Sequence, residues 1–173
     1  MRDEESFVAF AQGARERLRR TAFLMCGDWD RASDHVQEGL IRVYVAWPRL
    51  ERAGREHAYA RKAVVSAVLD HARRRSSREL VVETDPERPA EGDLAEAVTA
   101  RTALMAALAA LPPRQRACVV LRYFEDLSVA DTAAALGCSQ GTVKSQTARA
   151  LDRLRSMFED SPLGELTLGA TTW

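Results

Sequence analysis

The sequence predicts an all-α protein built from two small helical domains that are joined by an acidic linker. Apolar residues recur three and four positions apart in nearly every periodic segment, and no stretch shows the sustained alternation of a β-strand. The formal net charge is zero, but the charges are segregated. Residues 54–78 hold seven Arg or Lys against two acids, residues 79–97 hold one Arg against seven acids, and residues 114–157 hold seven against four. Two basic helical blocks are therefore predicted on either side of an acidic spacer.

Composition and length restrict the classes of protein that the chain can belong to. With 173 residues, 46% of them hydrophobic and 29% charged, the chain has the make-up of a folded protein with one ordinary domain or two small ones. No run approaches the ~20 apolar residues of a membrane span, and no apolar segment follows the charged N-terminus as in a secretory signal. We expect a cytoplasmic protein that does not bind a membrane.

Neither the cysteines nor the histidines suggest a cofactor or an active site. The three cysteines form no Cys-x-x-Cys pair, so we predict reduced thiols that serve as small apolar side chains: Cys26, Cys118 and Cys138. The histidines lack the spacing of metal ligands: His35, His57 and His71. The sequence contains no Gly-rich phosphate loop after a strand and no nucleophile motif, which predicts no metal, no cofactor and no enzyme activity.

Three helices are predicted in the first block. The first ends near Gly27, and Asp28 or Asp30 caps the second. Pro48 is predicted to end the second helix, and a loop over residues 49–56 precedes a third helix over residues 57–75. The predicted core face of the second helix consists of Val36, Leu40, Val43, Tyr44 and Trp47.

Residues 76–95 change in character, because they contain Ser, Pro and Gly and are strongly acidic. This composition predicts a linker that is mobile in the free protein. The predicted organisation is a first domain over residues 1–78, a linker over 79–97, a second domain over 98–158 and a tail over 159–173.

The second block is predicted to contain a helix-turn-helix. An Ala-rich helix ends at Pro112-Pro113, and further helices fit residues 114–125, 129–136 and 140–158. Ser128 and Ser139 are predicted helix caps, and Gly137 supplies the sharp turn between the last two helices. The last helix leaves outward a set of polar and cationic side chains suited to base edges and phosphates: Gln140, Thr142, Lys144, Ser145, Gln146 and Arg149. An ordinary amphipathic helix with a solvated polar face is the simpler alternative.

Four stretches of the second block resemble region 4 of bacterial sigma factors. They are LPPRQR at residues 111–116, VLRYFEDLS at 120–128, AAALGCSQGTVKS at 133–145 and RALDRLR at 149–155. The resemblance is closest to the extracytoplasmic-function (ECF) group, particularly its short actinobacterial type. It implies that this module reads the minus-thirty-five promoter element, through the six residues named above, and contacts the β-flap tip of RNA polymerase.

The first block resembles region 2 of the same family in FLMCGD at residues 23–28 and ASDHVQEGLIRVY at 32–44. The resemblance implies docking on the β′ clamp helices of core RNA polymerase around Gln37 and Glu38. The core-binding face is predicted to comprise Asp34, Gln37, Glu38 and Ile41, which recur at three- and four-residue steps. Without the resemblance, a solvated acidic face would be the better interpretation.

The third helix resembles the segment of the family that melts the promoter and reads its minus-ten element, in AYARK at residues 58–62 and LDHARRR at 69–75. The resemblance implies contacts to promoter DNA from Arg61, Lys62, Ser66, Asp70, Arg73, Arg74 and Arg75, and the cations among these suit phosphates. The loop over residues 49–56 corresponds to a pocket for a flipped base. The chain departs from the pattern at Ser66, where many relatives have Asn, and this loop lacks an aromatic residue.

Two hypotheses follow from these patterns. A sigma factor that binds core polymerase and directs promoter-specific initiation explains both blocks and the spacer. A polymerase-independent helix-turn-helix regulator explains only the second block. The resemblance also makes an anti-sigma protein a candidate partner, whereas the sequence identifies neither the promoter nor such a regulator, and it assigns no role to the C-terminal tail.

Overall fold

The protein is all-α, as predicted. The computed structural model describes residues 2–78 and 95–159, so most of the predicted linker and tail lie outside the described residues. Every element in these two ranges is helical. In chain order they are α1 (Arg2–Cys26), α2 (Trp29–Ala53), α3 (Glu56–Arg78), α4 (Ala95–Ala110), α5 (Pro113–Val119), a π-helical turn (Val120–Phe124), α6 (Val129–Leu136) and α7 (Gln140–Glu159).

The helix ends follow the predicted capping residues. Asp28 caps the N-terminus of α2, because its Oδ1 accepts a hydrogen bond from the backbone N–H of Arg31 at 2.8 Å. This bond lowers the pKa of the Asp28 carboxyl. Gly27 precedes it with a φ of 75°, a left-handed conformation that glycine adopts without a steric penalty. The turn between α1 and α2 is therefore short and fixed.

Pro48 does not end the second helix, contrary to the prediction. α2 continues through it to Ala53, and α3 begins at Glu56, so the predicted loop over residues 49–56 is reduced to Gly54 and Arg55. A proline removes one backbone hydrogen bond, to the carbonyl four residues earlier. Here Pro48 and Tyr44 are both exposed, so water can satisfy the released carbonyl and the helix is maintained.

Two further boundaries differ from the prediction. α3 extends to Arg78, so Ser76 and Ser77 belong to a helix, and the residues of the predicted linker that lie outside the described chain are 79–94. The helix predicted over residues 114–125 is α-helical only to Val119 and continues as the π-helical turn, which ends before Glu125. A π-helical turn is not marked by a particular residue pattern, so the spacing of apolar residues does not reveal it.

The first module (residues 2–78) is a three-helix unit in which α2 and α3 approach closely at Gly39. A Cβ atom on Gly39 would lie 2.5 Å from Cγ2 and 3.1 Å from the backbone nitrogen of Val64. Val64 is itself buried in the core, together with residues from all three helices such as Leu18, Val43 and Trp47. The absence of a side chain at position 39 therefore sets the α2–α3 distance.

The second module (residues 95–159) packs against the first and shares its core. Ala117, Val120, Leu121 and Ala135 belong to the same buried cluster as the core of the first module. A second cluster lies between α4, α5 and α7, with Leu108, Leu111, Val119 and Ala150 at its centre. The two modules therefore form a closed arrangement with an apolar interface.

Arg116 strengthens this interface through three backbone carbonyls. Its guanidinium donates to the Met25 carbonyl in α1 at 2.8 Å, to Ala109 at 2.6 Å and to Leu111 at 3.1 Å. These acceptors lie at the C-terminal ends of α1 and α4, where unpaired carbonyls favour a cation. Burial lowers the pKa of Arg116 from its ordinary value. The guanidinium still carries its charge at neutral pH.

The cysteines are unbonded thiols, as predicted. Cys118 is buried, and burial raises its pKa to about 11. Burial also raises the pKa of the half-buried Cys26. Both therefore remain protonated at neutral pH and pack as small apolar groups. Within residues 2–78 and 95–159, no helix has the length and apolar character needed to cross a membrane.

His35 is expected to make the stability of the protein dependent on pH. The side chain is 5% exposed, its Nε2 has no hydrogen-bond partner in the described chain, and its ring packs edge-on against His71. Burial first, and then repulsion from His71, lower its pKa below 6.5, and this outweighs the nearby carboxylates of Glu38 and Asp34.

We therefore expect the free energy of unfolding to decrease as the pH falls through about 6.5. The unfolded chain binds a proton at position 35 in this range while the folded chain does not. Urea unfolding measured between pH 7.5 and 5 in the parent and in a His35→Gln variant tests this, because the carboxylates titrate in both proteins. Equal pH dependence in the two would contradict the assignment to His35.

Candidate functional site

The helix-turn-helix is formed by α6, a turn at Gly137 and α7. Ser128 Oγ accepts from the backbone N–H of Asp131 at 3.0 Å, and its hydroxyl donates to the Asp131 carboxylate at 2.6 Å. Gly137 ends α6 with a φ of 62°, and Ser139 Oγ accepts from the backbone N–H of Thr142 at the start of α7. These caps fix the angle at which α7 leaves the turn, as the sequence predicts.

The predicted minus-thirty-five residues occupy the N-terminal part of α7, where Val143 anchors the helix in the core. Four of the side chains are exposed: Gln140, Lys144, Ser145 and Arg149. Thr142 and Gln146 are half-buried, and the Thr142 hydroxyl is hydrogen-bonded to Ser139 Oγ at 2.9 Å. The exposed four present donors and two cations on a surface that a DNA groove can reach.

The predicted minus-ten and melting residues lie along α3. Lys62, Arg73 and Arg74 are exposed, while Arg61, Ser66, Asp70 and Arg75 are half-buried. Arg73 pairs with the Asp70 carboxylate at 3.2 Å, a contact within one exposed helix face that contributes little to stability. Arg61 instead faces the second module, where its Nε lies 3.7 Å from Oε2 of Glu125. Most of the predicted set therefore lies toward the C-terminal end of α3, where Arg73 and Arg74 are exposed, whereas Arg61 is held between the modules.

The predicted polymerase-binding residues share one exposed face of α2. Asp34, Gln37, Glu38 and Ile41 are all exposed, and Glu38 forms an ion pair with Arg42 one turn later. Ile41 is 59% exposed, which is unusual for a side chain of its size in the middle of a helix.

Two apolar residues that we did not assign to this face extend it. Tyr44 was predicted to lie in the core, but it is 53% exposed, with its ring centroid 4.9 Å from that of Phe7 in α1. Val45 is 75% exposed. The sequence could have placed Val45 on this face, because residues 34, 38, 41 and 45 recur at helical spacing. Tyr44, in contrast, fits the spacing of the core residues equally well.

Nothing in the described chain suggests a bound metal. No group of His, Cys, Asp or Glu within residues 2–78 and 95–159 has the arrangement of a metal site. The surfaces just described consist instead of exposed cations, short polar groups and an apolar face, which suit macromolecular partners.

Comparisons with known proteins assign both modules to one family. The model of Sigma-70 region 2 matches residues 11–78, and the model of Sigma-70 region 4 matches residues 101–154. The chain is 38% identical over 149 residues to the RNA polymerase sigma-E factor of Streptomyces coelicolor, covering 86% of this chain and 84% of that protein. It is 30% identical over 161 residues to the ECF RNA polymerase sigma factor SigM of Mycobacterium tuberculosis, covering 90% and 79%.

The same fold occurs in a solved structure of a sigma factor. The Bartonella quintana sigma factor RpoE, crystallised in complex with the anti-sigma factor NepR, superposes with a TM-score of 0.67 at 24% identity, covering 93% of this chain and 99% of that one. With the helix-turn-helix in the second module, the exposed α2 face in the first and relatives matched along most of their length, the chain belongs to the ECF group of bacterial RNA polymerase sigma factors.

Proposed function

We propose that the protein binds core RNA polymerase and directs it to specific promoters. The first module, residues 1–78, would dock on the β′ clamp helices through the exposed α2 face and act on the minus-ten element through α3. The second module would read the minus-thirty-five element through α7 and contact the β-flap tip. The predicted linker would connect the two modules, and the predicted tail would follow the second.

The observation that carries this proposal is the presence of both surfaces in one chain. The N-terminal half of α7 exposes Lys144 and Arg149 beside short polar side chains, and α2 exposes Ile41, Tyr44 and Val45 beside Glu38. A DNA-binding protein that works alone has no need of the second surface. An exposed apolar face rimmed by polar groups is typical of a protein–protein contact.

The decisive experiment adds the purified chain to core polymerase that lacks other sigma factors, with a genomic library as template. We expect transcripts that start at a small set of sites sharing two upstream sequence elements. Sequencing their 5′ ends would define the promoter. Uniform, non-specific initiation by the reconstituted enzyme would contradict the proposal.

The same preparation without polymerase tests the alternative of an independent helix-turn-helix regulator. Such a regulator binds its duplex site tightly by itself, with dissociation constants of roughly 10⁻⁸ M or below at physiological salt. We expect only weak, strongly salt-dependent binding by the free chain, because a few cations on α7 are its main contacts. No feature of the described residues favours the alternative.

Membership of the family supports three further proposals. The protein works in the cytoplasm with the polymerase, it contributes recognition and melting while the polymerase supplies the catalytic chemistry, and an anti-sigma protein covers one or both modules. The sigma factor in the Bartonella quintana structure is bound to such a partner. Purification of the tagged chain from its native cell should recover a protein of this kind in stoichiometric amount.

A further inference from the structure

Glu125 of the second module is held by three side chains of the first. Its Oε2 accepts from Arg17, at 3.1 Å from Nε and 3.0 Å from Nη2, and lies 3.7 Å from Nε of Arg61. Its Oε1 accepts from the hydroxyl of Thr21, which is 3% exposed. The Glu125 side chain is only 8% exposed. A carboxylate with so little exposed surface depends on these partners for its hydrogen bonds and for charge compensation.

The turn that presents Glu125 is built entirely within the second module. The backbone N–H of Glu125 donates to the carbonyl of Val120, the first residue of the π-helical turn, and that of Leu127 donates to the carbonyl of Leu121. The Arg122 guanidinium also donates to the Leu127 carbonyl. Between Glu125 and Leu127, Asp126 has a φ of 52°, which Asp tolerates better than most residues. Glu125 is therefore positioned before the modules meet.

The contact engages the helix that is proposed to act on the minus-ten element. Arg61 belongs to α3, its side chain is 19% exposed, and α6 of the helix-turn-helix packs directly on the same helix. A phosphate cannot bind Arg61 while Glu125 neutralises it. A cavity of about 290 Å³ lies beside this contact, lined by residues that include Arg17, His57 and Arg61. The cavity gives water and ions a route to the pair.

We propose that Glu125 is an intramolecular latch that holds the modules closed and masks Arg61 until the protein binds polymerase. The inference rests on the proposed function, because masking Arg61 matters only if the protein binds promoter DNA. Elements near −10 and −35 are about 25 base pairs apart, or about 85 Å along B-DNA. A compact chain of this length has a radius of gyration of about 16 Å, so two modules in contact do not reach both elements at once. Opening must therefore precede promoter recognition.

The test compares full-length variants in the absence of polymerase. Glu125→Gln removes the charge that pairs with Arg17 and Arg61, and Arg17→Gln weakens the latch from the other module. Asp126→Asn is the matched control, because it removes the neighbouring negative charge, retains a side chain that tolerates positive φ, and lies at an exposed residue without an ion pair in the described chain. Small-angle X-ray scattering measures closure, and binding to a mixed-sequence single strand of roughly 20 nucleotides measures access to Arg61.

We expect Glu125→Gln to increase the radius of gyration and to tighten DNA binding by up to about tenfold. A closed state populated about ten times more than the open state weakens the apparent affinity by that factor, and the variant removes this penalty. Arg17→Gln should change both quantities in the same direction by less, and Asp126→Asn should change neither. With core polymerase bound, all variants should initiate at the parent's rate. An unchanged radius in Glu125→Gln, or an increased radius with unchanged DNA affinity, overturns the latch.

These readouts separate the latch from the proposed function. Scattering and single-strand binding need neither polymerase nor promoter, so they judge the latch even if no promoter-specific transcript is obtained. Conversely, the parent protein could direct promoter-specific transcription and yet have the radius of gyration expected for the open form. That result would support the function and overturn the latch.

Discussion

Reversing the charges of Lys144 and Arg149 together is expected to reduce transcription from promoters that need the upstream element by about 100-fold or more. Each lost phosphate or base contact costs roughly 1–3 kcal/mol, and an acid in its place adds repulsion from DNA. Both side chains are exposed on α7, so Lys144→Glu with Arg149→Glu should leave the fold intact. Core binding should survive, because the predicted polymerase face lies on α2.

The matched control is Arg153→Glu with Arg155→Glu. These residues are also exposed on α7 and undergo the same charge change, but they lie toward its C-terminal end, away from the predicted contacts. Arg155 pairs with Asp152, at 3.0 Å on the helix surface. Run-off transcription and polymerase pull-down with both double variants would make the comparison. Loss of polymerase binding in Lys144→Glu with Arg149→Glu would show that the modules had been assigned wrongly.

Replacing Gly39 by Ala is expected to destabilise the protein by about 2 kcal/mol, although alanine is the better helix former by ~1 kcal/mol. The added Cβ would lie 2.5 Å from Val64 Cγ2 and 3.3 Å from Val64 Cα, so α2 and α3 must separate. Val64 is 1% exposed, and a β-branched side chain has essentially one rotamer in a helix, so it cannot turn aside. Urea unfolding followed by circular dichroism measures the loss.

Gly13→Ala provides the opposite expectation in the same module. Gly13 lies inside α1, and a Cβ built there meets nothing within 4 Å. This variant should therefore gain up to ~1 kcal/mol from helix propensity alone. If Gly39→Ala were as stable as Gly13→Ala, the close approach of α2 and α3 would not be required by the fold.

Local chemistry was sufficient to predict most of the helices and the surface of α7. Ser128, Gly137 and Ser139 define α6 and the start of α7 through hydrogen bonds and φ angles that depend on neighbouring residues only. The spacing of Val143 and Ala150 predicts which side of α7 is buried, and therefore which polar residues are exposed. The roles proposed for these residues come from the family resemblance.

The features that were mispredicted or not predicted depend on residues far apart in the sequence. Tyr44 fits the apolar stripe of α2 but is only partly covered by α1, so periodicity cannot distinguish it from Val43. Pro48 is tolerated because its side of α2 faces water, which also depends on packing. Glu125 pairs with Arg17 across 108 positions, and a single acid in a turn carries no local signal of such a partner.

The π-helical turn over Val120–Phe124 also has a consequence for insertions and deletions. Such a turn accommodates one more residue than an α-helix would in the same place. Deleting one residue there would restore the narrower α-helical turn, so the backbone hydrogen bonds from Glu125 to Val120 and from Leu127 to Leu121 would be lost. Glu125 directly follows this turn, so it would leave the position in which it meets Arg17 and Thr21. The exposed residues Tyr123 and Phe124 should accept substitutions that preserve the length of the segment, whereas the loss of a single codon would weaken the contact between the two modules.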